Sequence, residues 1–75
     1  MKNLQENIDK WIENNKNASQ RNFFEWLQGC EYCGSEIEYN GGSGRVYGAE
    51  WYTLSFNGEE EDFILTKEQV DQLQS

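Results

Sequence analysis

Two runs of alternating polar and apolar residues flank the dipeptide Asn57-Gly58, and no other pattern constrains the chain as strongly. Asn-Gly between period-two segments specifies a tight β-hairpin, because both turn positions need positive φ, which Asn and Gly adopt with little steric strain. In the first run, about 50–56, Tyr52, Leu54 and Phe56 share one face and Trp51, Thr53 and Ser55 the other. The returning run, about 60–65, brings Phe63 and Leu65 to one face. A two-residue turn opposes Phe56 to Glu59 and Tyr52 to Phe63, whereas a four-residue loop opposes Leu54 to Phe63 and Tyr52 to Leu65. These registers differ by two residues, so both place Tyr52, Leu54, Phe56, Phe63 and Leu65 on one surface. Glu60, Asp62, Thr53 and Ser55 share the opposite one.

A third strand is expected at about 35–40, where Glu36-Ile37-Glu38-Tyr39 alternates before the turn signal Asn40-Gly41-Gly42-Ser43-Gly44. Upstream the period is helical. Leu4, Ile8, Trp11 and Ile12 form the stripe of an amphipathic helix over about 2–15. Asn17 followed by Gln20 has the spacing of a capping box that opens a second helix over about 18–28, with Phe23, Trp26 and Leu27 on one face and Gly29 at its end. Thr66-Lys67-Glu68-Gln69 is another capping box, and it starts a short helix over about 67–74. The expected fold is α+β: one domain of 75 residues, with two N-terminal helices, a small three-stranded antiparallel sheet and a short C-terminal helix. An aromatic content of 15% argues against disorder. Trp11, Trp26, Phe23, Tyr52, Phe56 and Phe63 fit the inward stripes, while Tyr39, Tyr47 and Trp51 are candidates for the surface.

Charge is segregated along the chain. Fourteen acidic residues against six basic ones give a net charge of −8. Residues 1–30 are balanced, but residues 31–62 carry Glu31, Glu36, Glu38, Glu50, Glu59, Glu60, Glu61 and Asp62 against Arg45 alone. Such a field repels phosphates and attracts basic surfaces, so direct nucleic acid binding is disfavoured and a cationic protein partner favoured. No apolar run approaches the roughly 18 residues that a bilayer-spanning helix needs. Residues 1–6 lack the apolar stretch of a secretory signal, so the expected location is the cytoplasm, with no membrane partner.

The motifs that could carry chemistry are incomplete. Cys30-Glu31-Tyr32-Cys33-Gly34 resembles one knuckle of a zinc ribbon, but with no other Cys and no His the chain alone lacks the second pair of ligands. A zinc ion shared between chains would complete the set, with Cys30 and Cys33 as the metal ligands. Glu31 and Glu36 disfavour the thiolate that redox catalysis needs. Gly41-Gly42-Ser43-Gly44-Arg45 lacks the Lys-Ser or Lys-Thr ending of a P-loop and lies between strands; it reads as a mobile loop. Glu59-Glu60-Glu61-Asp62 lacks the spacing of a calcium loop and should be solvated at a hairpin tip. With no histidine, no activated nucleophile and no complete metal site, an enzyme is not expected.

In size and charge the chain resembles phage-encoded inhibitors, among them anti-CRISPR proteins and other nucleic-acid mimics; this is a likeness of type and carries no residue over. The function expected is that of a small acidic inhibitor, monomeric or homodimeric, without a cofactor. It would occupy the basic, nucleic-acid-binding surface of a partner protein through Glu36, Glu38, Trp51, Glu59, Glu60, Glu61 and Asp62. The alternative is a zinc-linked or self-assembling structural module built on Cys30 and Cys33.

Overall fold

In a computed structural model, which describes residues 3–74, Asn57 and Gly58 both take positive φ, 53° and 82°. They join two strands in the two-residue register, with Phe56 opposite Glu59 and Tyr52 opposite Phe63. Strand β2 (Glu50–Phe56) is central, flanked by β1 (Glu36–Gly42) and β3 (Glu59–Leu65) in a three-stranded antiparallel sheet. Helix α1 (Leu4–Asn14) and helix α2 (Gln20–Trp26) precede the sheet, and α3 (Lys67–Leu73) follows it. The fold is thus α+β, in the expected element order.

Helices cover the face of the sheet that carries Tyr52, Leu54, Phe63 and Leu65, all buried. Leu4, Ile8 and Ile12 of α1, Phe23 of α2 and Leu73 of α3 close the same core. Phe23 is the hinge of the aromatic packing, with ring centroids 5.9 Å from Trp11, 6.2 Å from Trp26 and 6.2 Å from Phe63. Trp11 and Trp26 stack on each other at 5.0 Å and remain half-buried, as does Phe56, which meets Tyr32 edge-on.

Several boundaries differ from those read in the sequence. The expected start of the first helix, Lys2, lies outside the described residues. Asn17 does not cap α2. The Ala18 amide donates to the Asn15 carbonyl at 3.0 Å, which closes the preceding turn on itself, and Ser19 becomes the cap by accepting from the Asn22 amide at 3.2 Å. Gly29 does not end the helix, because the backbone continues as a π-helical turn, Leu27–Glu31. That wider turn delivers Tyr32 to the core, where it is only 7% exposed and its hydroxyl accepts from Asn7. At α3 the capping box forms as expected, with Thr66 Oγ1 accepting from the Gln69 amide and Gln69 Oε1 from the Thr66 amide. β1 runs to Gly42 rather than 40, through a bulge between Tyr39 and Gly41.

Long glutamine side chains tie the layers together. Gln5 of α1 reaches the outer edge of β3, donating to the Ile64 carbonyl at 2.8 Å and accepting from the Ile64 amide at 2.7 Å. A single side-chain amide thereby stands in for a neighbouring strand, satisfying both backbone groups of one edge residue. Gln69 donates to Asp9 at 2.8 Å and Gln72 to the Ile12 carbonyl at 3.0 Å, which fix α3 along α1. Replacing Gln5 by Ala should destabilise the fold by about 1–3 kcal/mol, since two paired backbone groups lose their partner at once. A shift of that size in a urea denaturation midpoint checks this; an unchanged midpoint would mean that water replaces Gln5 without penalty.

Candidate functional site

The register puts carboxylates that are distant in sequence on one surface. Glu36 lies opposite Ser55, and Ser55 opposite Glu60; Glu38 lies opposite Thr53, and Thr53 opposite Asp62. Because alternate residues of a strand share a face, Glu36, Glu38, Glu60 and Asp62 stand on the side away from the helices, in two rows flanking the hydroxyls of Ser55 and Thr53. Adjacent strands are about 4.8 Å apart, so the two acidic columns are separated by roughly 10 Å across the neutral central strand. None of the three strands carries a Lys or Arg.

One carboxylate of the four is held by a relay. Asn40 Nδ2 donates to Thr53 Oγ1 at 2.6 Å, and Thr53 Oγ1 donates to Asp62 Oδ1 at 2.7 Å. The Thr53 hydroxyl can accept and donate at once, so a chain of polar contacts crosses all three strands and orients Asp62. The bulge makes this possible, since it places Asn40 as an extra residue beside Thr53's strand. Neither Asn40 nor Thr53 stands out in the sequence as a site residue; the only local signal is the Asn-Gly-Gly that marks the bulge.

The run Glu59-Glu60-Glu61-Asp62 does not act as a unit. Glu60 and Asp62 belong to the outer face, whereas Glu59 and Glu61 alternate to the helix side. Glu61, opposite Leu54, is half-buried, and its Oε2 is shielded from solvent without a hydrogen-bond partner among the described residues. The expectation of a fully solvated run therefore fails at Glu61, because strand β3 begins at Glu59 and carries the alternation straight through the acidic segment.

Trp51 closes one end of the outer face, 38% exposed and opposite Ile64. Beside it a cleft of about 470 Å³ is lined by Ser43, Gly44, Arg45, Asp62 and Ile64, among others. The glycine-rich connection is tied at its base by hydrogen bonds. Its base is closed by the Ser43 amide donating to the Ala49 carbonyl at 3.0 Å, Ser43 Oγ accepts from the Arg45 amide, and Ala49 is buried. Gly48, at φ 78°, packs so closely on the Lys67 side chain that a Cβ there would fall 3.0 Å from Lys67 Cδ. Tyr47 at its apex is 93% exposed and Tyr39 on β1 is 57% exposed. On the helices, Lys10 pairs with Glu6, Arg21 with Glu25 and Lys67 with Asp71.

Cys30 and Cys33 are exposed free thiols at the end of the π-helical turn. Between them Tyr32 is anchored in the core, which fixes the turn while leaving both thiols accessible. Among the described residues no group of three or more His, Cys, Asp or Glu side chains converges on a metal position. An ion on this pair would draw its remaining ligands from elsewhere. No helix of the described residues is long and apolar enough to cross a membrane.

On the covered face, Tyr52 donates to Glu50 Oε2 at 2.5 Å and stacks on Phe63 at 5.2 Å. Burial first, and then the Glu50 carboxylate beside it, push the Tyr52 phenol well above its ordinary value. The folded chain therefore keeps this proton at pH values where the unfolded chain, with a phenol near 10, releases it. Stability should fall as pH rises beyond about 10, and Tyr52→Phe should flatten that decline. Denaturation curves collected across the alkaline range check the slope; equal slopes for both proteins would show that Tyr52 is not its source. No protein-family profile, curated protein or solved structure matches the chain.

Proposed function

We propose that the protein is a small acidic inhibitor that presents the outer face of its sheet to the basic, nucleic-acid-binding surface of a partner protein. The observation that carries this reading is the gathering of Glu36, Glu38, Glu60 and Asp62 on one sheet face whose strands carry no Lys or Arg, with Arg45 of the glycine-rich connection the cation that lines the cleft at its Asp62 end. A rigid sheet holds these charges in fixed relation, so a complementary basic groove meets several at once, with little ordering of the acidic side. Trp51 at the end of the same face supplies an apolar anchor of the kind that dominates binding hot spots. Such an inhibitor would act by occupancy, as the type of nucleic-acid mimic that it resembles in size and charge does, and would need no catalytic residue.

The test uses the full chain as bait at low salt, with a variant that replaces Glu36, Glu38 and Glu60 by Gln and Asp62 by Asn. Isosteric amides keep the shape and leave the Thr53 hydroxyl an acceptor at position 62. At about 0.5 kcal/mol for each exposed pair, four pairs contribute about 2 kcal/mol, so the variant should bind a captured partner roughly 30-fold more weakly. Wild-type binding should fall steeply with salt, and duplex DNA should displace the protein from its partner. Binding indifferent to both salt and the four substitutions would sink the reading.

The exposed Cys30 and Cys33 pair favours a second reading, a module joined through zinc shared between two chains. It predicts a dimeric mass in solution with zinc that returns to monomer on chelation. A mass unaffected by zinc removes it.

A further inference from the structure

We infer that the free edge of β1 is a docking edge for an extended, lysine- or arginine-bearing segment of a partner protein, which adds a fourth strand to the sheet; the inference rests on the acidic-face reading and names the form its partner takes.

The two edges of the sheet are treated differently. Gln5 occupies the outer backbone groups of Ile64 on β3, whereas β1 pairs with β2 alone and, among the described residues, makes no backbone hydrogen bond outside the sheet. Glu36, Glu38 and Tyr39 are exposed, and Ile37 is half-buried. The Gln5 clamp also reveals which β1 groups are free. Because the Ile64 amide and carbonyl turn away from β2, the opposing Trp51 directs its own toward β1, and so, by alternation, do Thr53 and Ser55. Their partners Glu38 and Glu36 are thereby used within the sheet. Ile37 and Tyr39 direct their amides and carbonyls outward, to where a fourth strand would lie.

Charge selects the occupant. A second copy paired along this edge would bring its own Glu36 and Glu38 beside those of the first, and like charges across neighbouring strands are destabilising. A strand with Lys or Arg at alternate positions places them on the outer face beside Glu36 and Glu38, extending the acidic surface already described. The residues between them fall on the other side, next to Ile37 and the exposed ring of Tyr39, and so would be apolar or small. The bulge at Asn40 ends regular pairing, so residues 36–39 define a footprint of roughly 13 Å.

A synthetic peptide alternating lysine and threonine serves as the probe, with a control of equal charge in which proline replaces threonine and strand pairing is lost. Amide hydrogen exchange and chemical shifts are followed on the full chain at low salt. The alternating peptide should slow exchange at Ile37 and Tyr39 by roughly tenfold at about 90% occupancy, and the proline peptide should not. Tyr39→Pro, which removes an outward amide at a position where an edge strand tolerates proline, should abolish this binding, while Tyr39→Ala, which removes only the ring, should retain most of it. If both peptides shift Glu60 and Asp62 but leave the Ile37 and Tyr39 amides unprotected, edge docking is overturned and the acidic-face reading stands. If neither binds, both are overturned. Protection that rises with protein concentration in the absence of peptide would assign the edge to a second copy and overturn the proposal.

Discussion

Strand register is the constraint on which the rest of this molecule depends, and the Asn57-Gly58 turn sets it. With both residues at positive φ, the hairpin closes after two residues and Phe56 faces Glu59. A slip of one residue would expose Phe63 and Leu65 and send Glu60 and Asp62 into the core, exchanging every contact the helices make. The same parity that builds the apolar face assembles the acidic one. Core and candidate interface are two readouts of a single geometric choice, and neither can be altered by register without losing the other.

A chain this short has little core, so its edges and layer junctions carry more of the structure than they would in a larger domain. Three glutamines serve that role across nearly the whole length of the sequence: Gln5 binds Ile64, Gln69 binds Asp9 and Gln72 binds the Ile12 carbonyl. Each joins an N-terminal element to a C-terminal one, and each offers a donor and an acceptor without adding charge to a chain that is already strongly acidic. Gln5 has a second effect. By finishing the ladder on the β3 side, it leaves β1 as the edge available to another chain.

How much of this was legible depended on whether the signal was local. The alternation around Asn57-Gly58 placed Tyr52, Leu54, Phe63 and Leu65 together, and put Thr53, Ser55, Glu60 and Asp62 opposite them, whichever turn length applied. Thr66 and Gln69 named their helix start, because both halves of that capping box lie within one turn. Asn17 and Gln20 have the same spacing yet fail, since the Asn15 carbonyl captures the Ala18 amide and moves the helix start to Ser19 and Gln20. In the sequence Tyr32 is the interior of a cysteine motif rather than core, because only a π-helical turn brings it inward, and no periodicity announces an extra residue in a helix. Gln5 and Asn40 were invisible for a related reason: their roles depend on partners 59 and 13 residues away. Composition groups Glu61 with its acidic neighbours, and strand parity overrules composition.

Four carboxylates on one face should repel one another, and the arrangement of the sheet decides how strongly. Directly opposed like charges on adjacent strands are destabilising, but here the central strand interposes Thr53 and Ser55, so the acidic columns stand roughly 10 Å apart. That spacing is about the Debye length at 0.1 M salt, where repulsion between exposed charges is already largely screened. A basic surface docked on the face would approach each carboxylate far more closely than the carboxylates approach one another across the sheet, and would exclude part of the screening solvent. Repulsion within each column, where Glu36 and Glu38 or Glu60 and Asp62 stand about 7 Å apart along one strand, is the larger self-repulsion, and a docked basic surface offsets it. The neutral hydroxyl strand keeps the two acidic columns apart, and through the Thr53 contact it also fixes the direction in which Asp62 is offered.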